Sequence, residues 1–244
     1  MNVLIQGGGR GIGLALARRA LAAGAERLVI TARQPEASPA HAELAADPRI
    51  TFLAMDVTDD AGIRAACAAT RDMLPRLDRV ICTSGILREG EIRPEKRIAD
   101  IDAEALVHLY RVNALGPMLL ARELWPLLKG DHALRFSAIS ARVGSISDNR
   151  LGGWYAYRAS KAAQNQFLRT FAVEARRRAK NLIVLALHPG TVETGLSAPF
   201  RANVPPEKLF SADFAAQCLL KNMENASEED SGGFFAWDGA PIPW

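Results

Sequence analysis

A tyrosine and a lysine with the spacing to act together lie in the second half of the chain. Tyr157 and Lys161 are four residues apart in a stretch with a helical pattern, and side chains at this spacing share one face of a helix. Tyrosine normally keeps its proton up to a pH of about 10. A nearby ammonium group stabilises the phenolate and lowers that pKa, which makes the tyrosine a usable acid or base. Taken alone, such a pair more often belongs to surface packing, so both interpretations stay open at this point.

Two polar residues lie where predicted strands end. Ser140 ends a strand at the carboxyl edge of the sheet, where ligands bind in α/β folds, and its hydroxyl is placed to orient a substrate carbonyl group. His188 also ends a strand. A histidine there is more often a hydrogen-bonded structural residue than an acid or base, so it is left out of the predicted catalytic set.

Three glycines near the start of the chain indicate a phosphate-binding turn. Gly7, Gly11 and Gly13 form a GxxxGxG pattern directly between a predicted strand and a predicted helix. The N-terminus of a helix favours negative charge, and glycines let the backbone approach a pyrophosphate closely. The alternative is a flexible loop with a glycine cap, but the flanking strand and helix favour a dinucleotide site.

Two arginines bear on which dinucleotide binds. Arg33 directly follows the second predicted strand, where NAD-binding folds usually carry Asp or Glu for the ribose 2′-hydroxyl. Arg10 lies inside the glycine loop, and the planar guanidinium group pairs with phosphate oxygens in a bidentate manner. NADP is therefore favoured over NAD, which remains possible. The alternative is that both arginines are solvated surface residues.

These groups must be positioned by elements that the apolar pattern predicts. The predicted strands are Asn2–Gln6, Arg27–Ala32, Ile50–Met55, Arg79–Thr83, Ala133–Ile139, Leu182–Leu187 and Gly233–Trp237. The predicted helices are residues 11–23, 60–74, 103–129 with a break, 154–179 and 212–225. The remaining stretches, 33–49, 84–98, 141–153 and 189–211, are predicted as loops. Uniformly apolar strands that alternate with helices predict an α/β fold with a doubly wound, three-layer arrangement and a mostly parallel sheet of seven strands. One domain over residues 1–244 is the simplest organisation.

Composition limits the classes of partner. Hydrophobic residues make up 49% of the chain and charged residues 23%, with a net charge of +3, which is typical of a globular protein and gives no basic face for nucleic acid. Three cysteines, Cys67, Cys82 and Cys218, lack the spacing of metal ligands. No signal peptide and no membrane span is visible in the sequence. The sequence thus predicts a cytoplasmic protein that binds a small molecule and no metal.

The motifs in this order resemble the short-chain dehydrogenases/reductases, and the resemblance runs over nearly the whole chain. It is carried by Asp56-Val57 after the third strand, Asn113 in RVNALGP, Ser140, Tyr157-Arg-Ala-Ser-Lys161, and Pro189-Gly190 followed by Thr194. It implies a Rossmann-type fold and a catalytic set of Asn113, Ser140, Tyr157 and Lys161. It also implies a cofactor-binding set of Gly7, Arg10, Gly11, Ile12, Gly13, Arg33, Asp56, Val57, Gly85, Tyr157, Lys161, Pro189, Gly190, Val192 and Thr194.

Within the family, several stretches, among them GGWYAYRASK and HPGTVETGLSAPF, resemble the C-factor-like branch. The resemblance implies an NADP-dependent oxidoreductase for a carbonyl or alcohol, assembled as a homodimer or homotetramer. Its roles for the site are a proton from Tyr157, a hydrogen bond to the substrate oxygen from Ser140, binding of the ribose by Lys161, and a water held by Asn113. A dinucleotide-binding signalling protein with little or no catalysis is the alternative, whereas an epimerase or dehydratase would need a longer C-terminal substrate domain.

The chain also departs from the commoner family pattern. The gap between Ser140 and Tyr157 is longer than usual, which leaves Ser145 as a weaker rival for the catalytic serine. The long stretch 189–211 is predicted to close over the substrate, since loops of this length are often active-site lids. Its predicted apolar wall consists of Trp154, Leu196, Phe200 and Val204.

Overall fold

The computed structural model describes residues 1–198 and 204–244. The strands in these ranges are β1 (Asn2–Gln6), β2 (Arg27–Ala32), β3 (Ile50–Ala54), β4 (Arg79–Cys82), β5 (Leu134–Ile139), β6 (Leu182–His188), β7 (Thr191–Val192), β8 (Leu209–Phe210) and β9 (Gly233–Ala236). The α-helices are α1 (Gly11–Ala22), α2 (Pro39–Leu44), α3 (Asp60–Met73), α4 (Ala103–Tyr110), α5 (Gly116–Leu128), α6 (Tyr155–Arg178) and α7 (Ala212–Asn225). The predicted strands and long helices are all found, and most of their ends agree within one residue.

Seven strands form one parallel sheet in the order β3-β2-β1-β4-β5-β6-β9. The register is continuous; for example, Asn2 pairs with Arg27 and Leu134 pairs with Leu182. The strand order reverses next to β1, because β2 lies on one side of it and β4 on the other. The predicted Rossmann-type, doubly wound fold is confirmed, and the reversal creates the crevice where such folds bind ligands.

Helices cover both faces of the sheet, which explains why its strands are apolar along their whole length. α1 and α7 pack together on one face, where Leu16 and Leu219 are buried. α3, α5 and α6 cover the other face, with Leu124 and Leu168 in its core. Because neither face meets water, alternation of polar and apolar residues is absent from the central strands.

Two segments differ from the predicted loops. α2 lies inside the stretch 33–49; it begins with Ser38, whose side chain accepts a hydrogen bond from the His41 backbone, and Pro39 follows in the first helical position. Both are signals of a helix start. The stretch 189–211 contains β7 and β8, which pair in a separate two-stranded sheet. None of the helices among the described residues has the length and apolar character that a membrane span requires.

Candidate active site

The predicted site residues lie at the carboxyl edge of the parallel sheet. The glycine loop follows β1, Gly85 follows β4 by three residues, Ser140 directly follows β5 and Pro189 directly follows β6. Parallel strands bring all these segments to one edge, and the reversal of strand order places the crevice between them. The fold alone therefore gathers residues that are far apart in sequence.

Tyr157 and Lys161 both lie in the first two turns of α6, as predicted. The Lys161 Nζ atom lies 5.9 Å from the centre of the Tyr157 ring. Tyr157 is 6% exposed and its ring packs in a small cluster with Leu87, Leu109 and Ala156. No described residue hydrogen-bonds the Tyr157 hydroxyl, so its proton is available to another molecule.

Burial acts on the pKa values of both residues. Desolvation raises the pKa of Tyr157 above its ordinary value and lowers the pKa of Lys161 to about 7. Both shifts have the direction expected when the charged form loses its water. The sequence predicted that Lys161 would lower the pKa of Tyr157, but in the folded chain burial sets the direction and the pKa is raised.

Lys161 is held by two hydrogen bonds. Its Nζ donates to the carbonyl oxygen of Ile139 at the end of β5, over 2.8 Å, and to Oε1 of Gln164, over 2.9 Å. Gly85 and Asn113 also lie nearby, since a Cβ on Gly85 would lie 3.5 Å from Lys161 Nζ and 3.4 Å from Asn113 Oδ1. Both distances are ordinary van der Waals contacts, so Gly85 and Asn113 border the space around the ammonium group.

Asn113 is fully buried in a π-helical turn, Arg111–Leu115, between α4 and α5. Its Oδ1 accepts from the Ile86 backbone N–H, and its Nδ2 donates to the Ile86 carbonyl and to Ser160 Oγ. Such π turns disturb the regular ladder of helix hydrogen bonds and are frequent at functional sites. The turn also accounts for the predicted break in the helix 103–129. Asn113 thus fixes the loop after β4 to α6 beside Lys161.

The structure does not support the predicted role of Ser140. Its Oγ is buried and donates over 2.6 Å to Oδ1 of Asn165, so its proton is used inside the protein. The neighbouring Ala141 packs against the cluster that contains Tyr157. Ser145 is also buried, and its Oγ accepts from the Asp148 backbone N–H. The physical reason is the Asn165 side chain on α6, which accepts the hydroxyl proton of Ser140.

The glycine loop leaves no room for side chains where it turns. Cβ atoms on Gly7 or Gly13 would lie 2.6 Å from Ser84 Oγ or from the Gly7 carbonyl oxygen, respectively. Gly7 and Gly11 also have positive φ angles of 80° and 55°, which glycine adopts without strain. Ile12 and Gly13 lie in the first turn of α1. In the described part of the chain no side chain caps this helix and no acidic residue lies in its first turn, so its N–H groups are free for an anion.

The two predicted phosphate-binding arginines differ in their surroundings. Arg10 precedes α1 and is exposed. Arg33 follows β2 and pairs with Glu89 over 2.8 Å, and Glu89 in turn contacts His108 over 2.7 Å. Asp56 lies two residues after β3; burial opposes its charge, but two hydrogen bonds from Thr58, together with Arg33 and His108, outweigh this and lower its pKa. Val57 is buried beside Gly116, where a Cβ would lie 2.9 Å from it.

The turn after β6 faces the glycine loop. Pro189 is buried, and Gly190 has a φ of 78°. Val192 is 4% exposed, and Thr194 Cγ2 lies 3.4 Å from where a Gly11 Cβ would be. The two predicted parts of the cofactor site therefore come together. Sequence reasoning missed an aromatic cluster beside Gly190, made of Phe210, Phe214 and Trp237.

A residue that no sequence pattern singled out contacts the first turn of α6. Glu95 is buried, and both its carboxylate oxygens accept from the Ala156 backbone N–H at the start of the helix. Trp154 precedes the helix with a φ of 53°, donates its N–H to the Glu95 carbonyl and stacks edge-on with Tyr157 at 6.3 Å. Glu95 thus fixes the turn that presents Tyr157.

The rest of the predicted apolar wall is less complete. Leu196 is 36% exposed and Val204 is half-buried, whereas Phe200 lies outside the described residues.

His188 was predicted as a hydrogen-bonded residue, yet its buried Nδ1 has no partner among the described residues. Burial is the main cause that lowers its pKa to about 4. His188 is therefore neutral near pH 7.

Comparison with known proteins shows which family the chain resembles in sequence and in fold. Residues 1–205 match the family described as short chain dehydrogenase. The chain is 29% identical over 246 residues to 1-hydroxy-2-glutathionyl-2-methyl-3-butene dehydrogenase of Rhodococcus sp., covering 100% of this chain and 99% of that protein. It is 30% identical over 147 residues to C-signal of Myxococcus xanthus, covering 60% of this chain and 83% of that protein. NADPH-bound carbonyl reductase from chicken fatty liver is 29% identical, with a TM-score of 0.86 over 100% of this chain and 98% of that one.

Proposed function

Because the chain belongs to the short-chain dehydrogenase family, we propose that it is an NADP-dependent oxidoreductase that interconverts a carbonyl group and an alcohol, with Tyr157 as the acid and base. The observation that carries this proposal is the state of Tyr157. Its ring is buried 5.9 Å from the Lys161 ammonium, and no described residue uses its hydroxyl. The ring is buried, but the hydroxyl is not among the buried polar atoms that lack a partner, so it is open to solvent and a substrate oxygen can reach it.

The glycine loop fits a dinucleotide. Its turn is too tight for any Cβ at Gly7 or Gly13, while the first turn of α1 keeps its N–H groups free. Gly11 and Thr194 face each other across the crevice. Arg33 and Arg10 would hold a 2′-phosphate, and Lys161 would hold ribose hydroxyls with the ammonium proton that Ile139 and Gln164 leave free. The NADPH-bound relative supports the same cofactor choice.

The residues of the chain then divide the chemistry. When bound, the nicotinamide cofactor supplies or accepts the hydride. In reduction, Tyr157 donates its proton to the carbonyl oxygen of the substrate. Burial raises the pKa of Tyr157, so the phenol keeps its proton until the oxygen develops charge. Lys161 stabilises the phenolate that forms, because an ammonium group 5.9 Å from the ring favours negative charge there. Asn113 keeps the loop after β4 against α6, so that Lys161 stays in place.

The substitution Tyr157→Phe tests the proposal. It removes one hydroxyl and keeps the buried ring, so we expect turnover to fall by at least about 100-fold while NADPH affinity changes less than about two-fold. The measurement is oxidation of NADPH with a panel of aldehydes and ketones, with 4-nitrobenzaldehyde as the first probe, beside a fluorescence titration of NADPH. Tyr155→Phe, on the same helix but 37% exposed, is the matched control and should keep full activity. Turnover retained in Tyr157→Phe would remove that residue from the mechanism.

A dinucleotide-binding signalling role is the second candidate, and the similarity to C-signal favours it. Tight NADPH binding with no turnover across the whole panel would support it over catalysis.

We further propose a homodimer or homotetramer, which the exposed apolar side chains of Val107, Tyr110 and Val173 on α4 and α6 support. Light scattering coupled to gel filtration tests the oligomeric state, and a monomeric mass would contradict it.

A further inference from the structure

Gln164 is a polar residue in a position that packing alone would give to an apolar one. It lies on α6, three residues after Lys161, and is 0% exposed. Its Nε2 is buried and has no hydrogen-bond partner among the described residues. An amide group left unpaired in the core costs stability, whereas an apolar side chain of similar size would not. The reason for an amide at this position must therefore lie in its other polar atom, the oxygen Oε1.

That other half, Oε1, accepts a hydrogen bond from Lys161 Nζ over 2.9 Å. The second bond of the ammonium group goes to the Ile139 carbonyl, which belongs to the backbone of β5. Among the described residues Lys161 forms no ion pair with a carboxylate. Gln164 is thus the side chain that supplies the buried ammonium group with negative potential.

The other groups around Lys161 cannot take this role. The titratable groups that face it are Tyr157 on the same helix and Cys82 at the end of β4. Burial raises the pKa of both, so both are uncharged near neutral pH. Gly85, Gly144 and Asn113, which also lie near Lys161, carry no charge. A buried ammonium group without a counter-ion depends on hydrogen-bond acceptors to stay protonated.

We propose that Gln164 is a positioning residue whose amide oxygen holds the Lys161 ammonium group in the place from which it acts on Tyr157. The proposal rests on the proposed function for the role of Lys161, but the contact itself is independent of substrate and cofactor. Without this oxygen, Lys161 has one acceptor fewer for its charged form. Its ammonium group then loses its proton at lower pH and its side chain is free to turn away.

The experiment follows Lys161 directly. Protein carrying ¹³C-labelled lysine is titrated by NMR, and the Lys161 signal is identified by its loss in Lys161→Arg. In Gln164→Leu we expect the midpoint of the Lys161 titration to fall by about one pH unit, as the loss of one hydrogen bond to a charged group implies. In Gln164→Glu it should rise, because a carboxylate stabilises the ammonium group. Gln166→Leu, two residues further on the exposed face of α6, is the matched control and should leave the midpoint unchanged.

An unchanged midpoint in Gln164→Leu would overturn the proposal. Gln164→Met keeps the length of the side chain without the acceptor and gives the same answer if the leucine variant does not fold. The alkaline limb of NADPH-dependent turnover of 4-nitrobenzaldehyde should shift to lower pH together with the NMR midpoint. Because the NMR titration uses neither cofactor nor substrate, its failure is separate from that of the proposed function, which Tyr157→Phe decides.

Discussion

The two ends of the candidate site differ in whether their ionisable groups are buried or exposed. At the proton-transfer end, made of Tyr157, Lys161 and Asn113, every group is at most 6% exposed and the surroundings are uncharged. At the phosphate end, made of Arg10, Arg33 and Glu89, the Arg33 side chain is 60% exposed and already pairs with a carboxylate. Burial changes how tightly a group holds its proton, whereas exposure keeps a charge accessible and screened. The first end should therefore respond to pH and the second to salt.

The substitution Lys161→Met tests the pH response and has the largest expected effect. Turnover should fall by at least about 100-fold, because the phenolate of Tyr157 loses the charge that stabilises it. The variant should nevertheless be more stable than the natural chain near pH 7. The pKa of Lys161 in the folded chain is about 7. Below this pH the ammonium group is charged in the folded and in the unfolded chain, so the free-energy cost of burying its charge is fully present.

Between about pH 7 and 10 the unfolded chain binds the extra proton, so the natural protein gains stability as the pH rises. The advantage of Lys161→Met should shrink over this range. Thermal unfolding at several pH values measures it, with Lys180→Met, an exposed lysine just after α6, as the control. A constant difference between variant and natural protein from pH 6 to 10 would contradict a buried ammonium group.

The substitution Arg33→Met tests the phosphate end. Loss of a charge-assisted hydrogen bond should weaken NADPH binding by about ten-fold, while NADH binding stays the same. The loss should become smaller at high salt, because exposed charges are screened. Titration of both cofactors at low and high salt is the measurement. Arg27→Met, at the opposite end of β2, is the matched control. Equal weakening for NADPH and NADH would mean that Arg33 does not recognise a 2′-phosphate.

The difference between the ends also explains what the sequence could predict. The spacing of Tyr157 and Lys161 and the position of Gly7, Gly11 and Gly13 between a strand and a helix are local, so they led to the fold and to the residues of the site. The predicted direction of the Tyr157 pKa failed because it considered one neighbour and not burial. Burial is set by Leu87 and Leu109, which reach Tyr157 only after folding.

Contacts between distant segments were outside what a sequence pattern can show. Glu95 caps a helix that begins 60 residues later in the chain, and nothing in its neighbourhood marks it. The identity of Ser140 suggested a ligand, but the direction of its hydroxyl depends on Asn165, one helix away. The sequence can therefore predict which residue type lies at the sheet edge. It cannot predict which side chain accepts the hydroxyl proton of that residue, because this depends on how distant segments pack.

The substitution Ser140→Ala tests that last point at the boundary between the two ends. Since the hydroxyl proton goes to Asn165, we expect turnover to fall by less than about ten-fold and the protein to become less stable, as for the loss of a buried hydrogen bond. Steady-state kinetics and thermal unfolding are measured together. Ser145→Ala is the comparison variant. A loss near that of Tyr157→Phe would show that Ser140 holds the substrate oxygen after all.

Glu89→Gln gives the smallest expected effect and the sharpest test of the phosphate end. Glu89 accepts from Arg33 over 2.8 Å and is fixed by His108 over 2.7 Å, so its carboxylate occupies a guanidinium donor that a 2′-phosphate would use. Removing its charge should tighten NADPH binding by about two- to five-fold, the size expected for an exposed ion pair. NADH affinity should not change, and the gain should disappear at high salt. Glu91→Gln, an exposed acid two residues further on, is the control. Weaker NADPH binding in Glu89→Gln would mean that Glu89 positions Arg33 for the phosphate and does not compete with it. The two ends of the site would then differ only in how exposed their charged groups are.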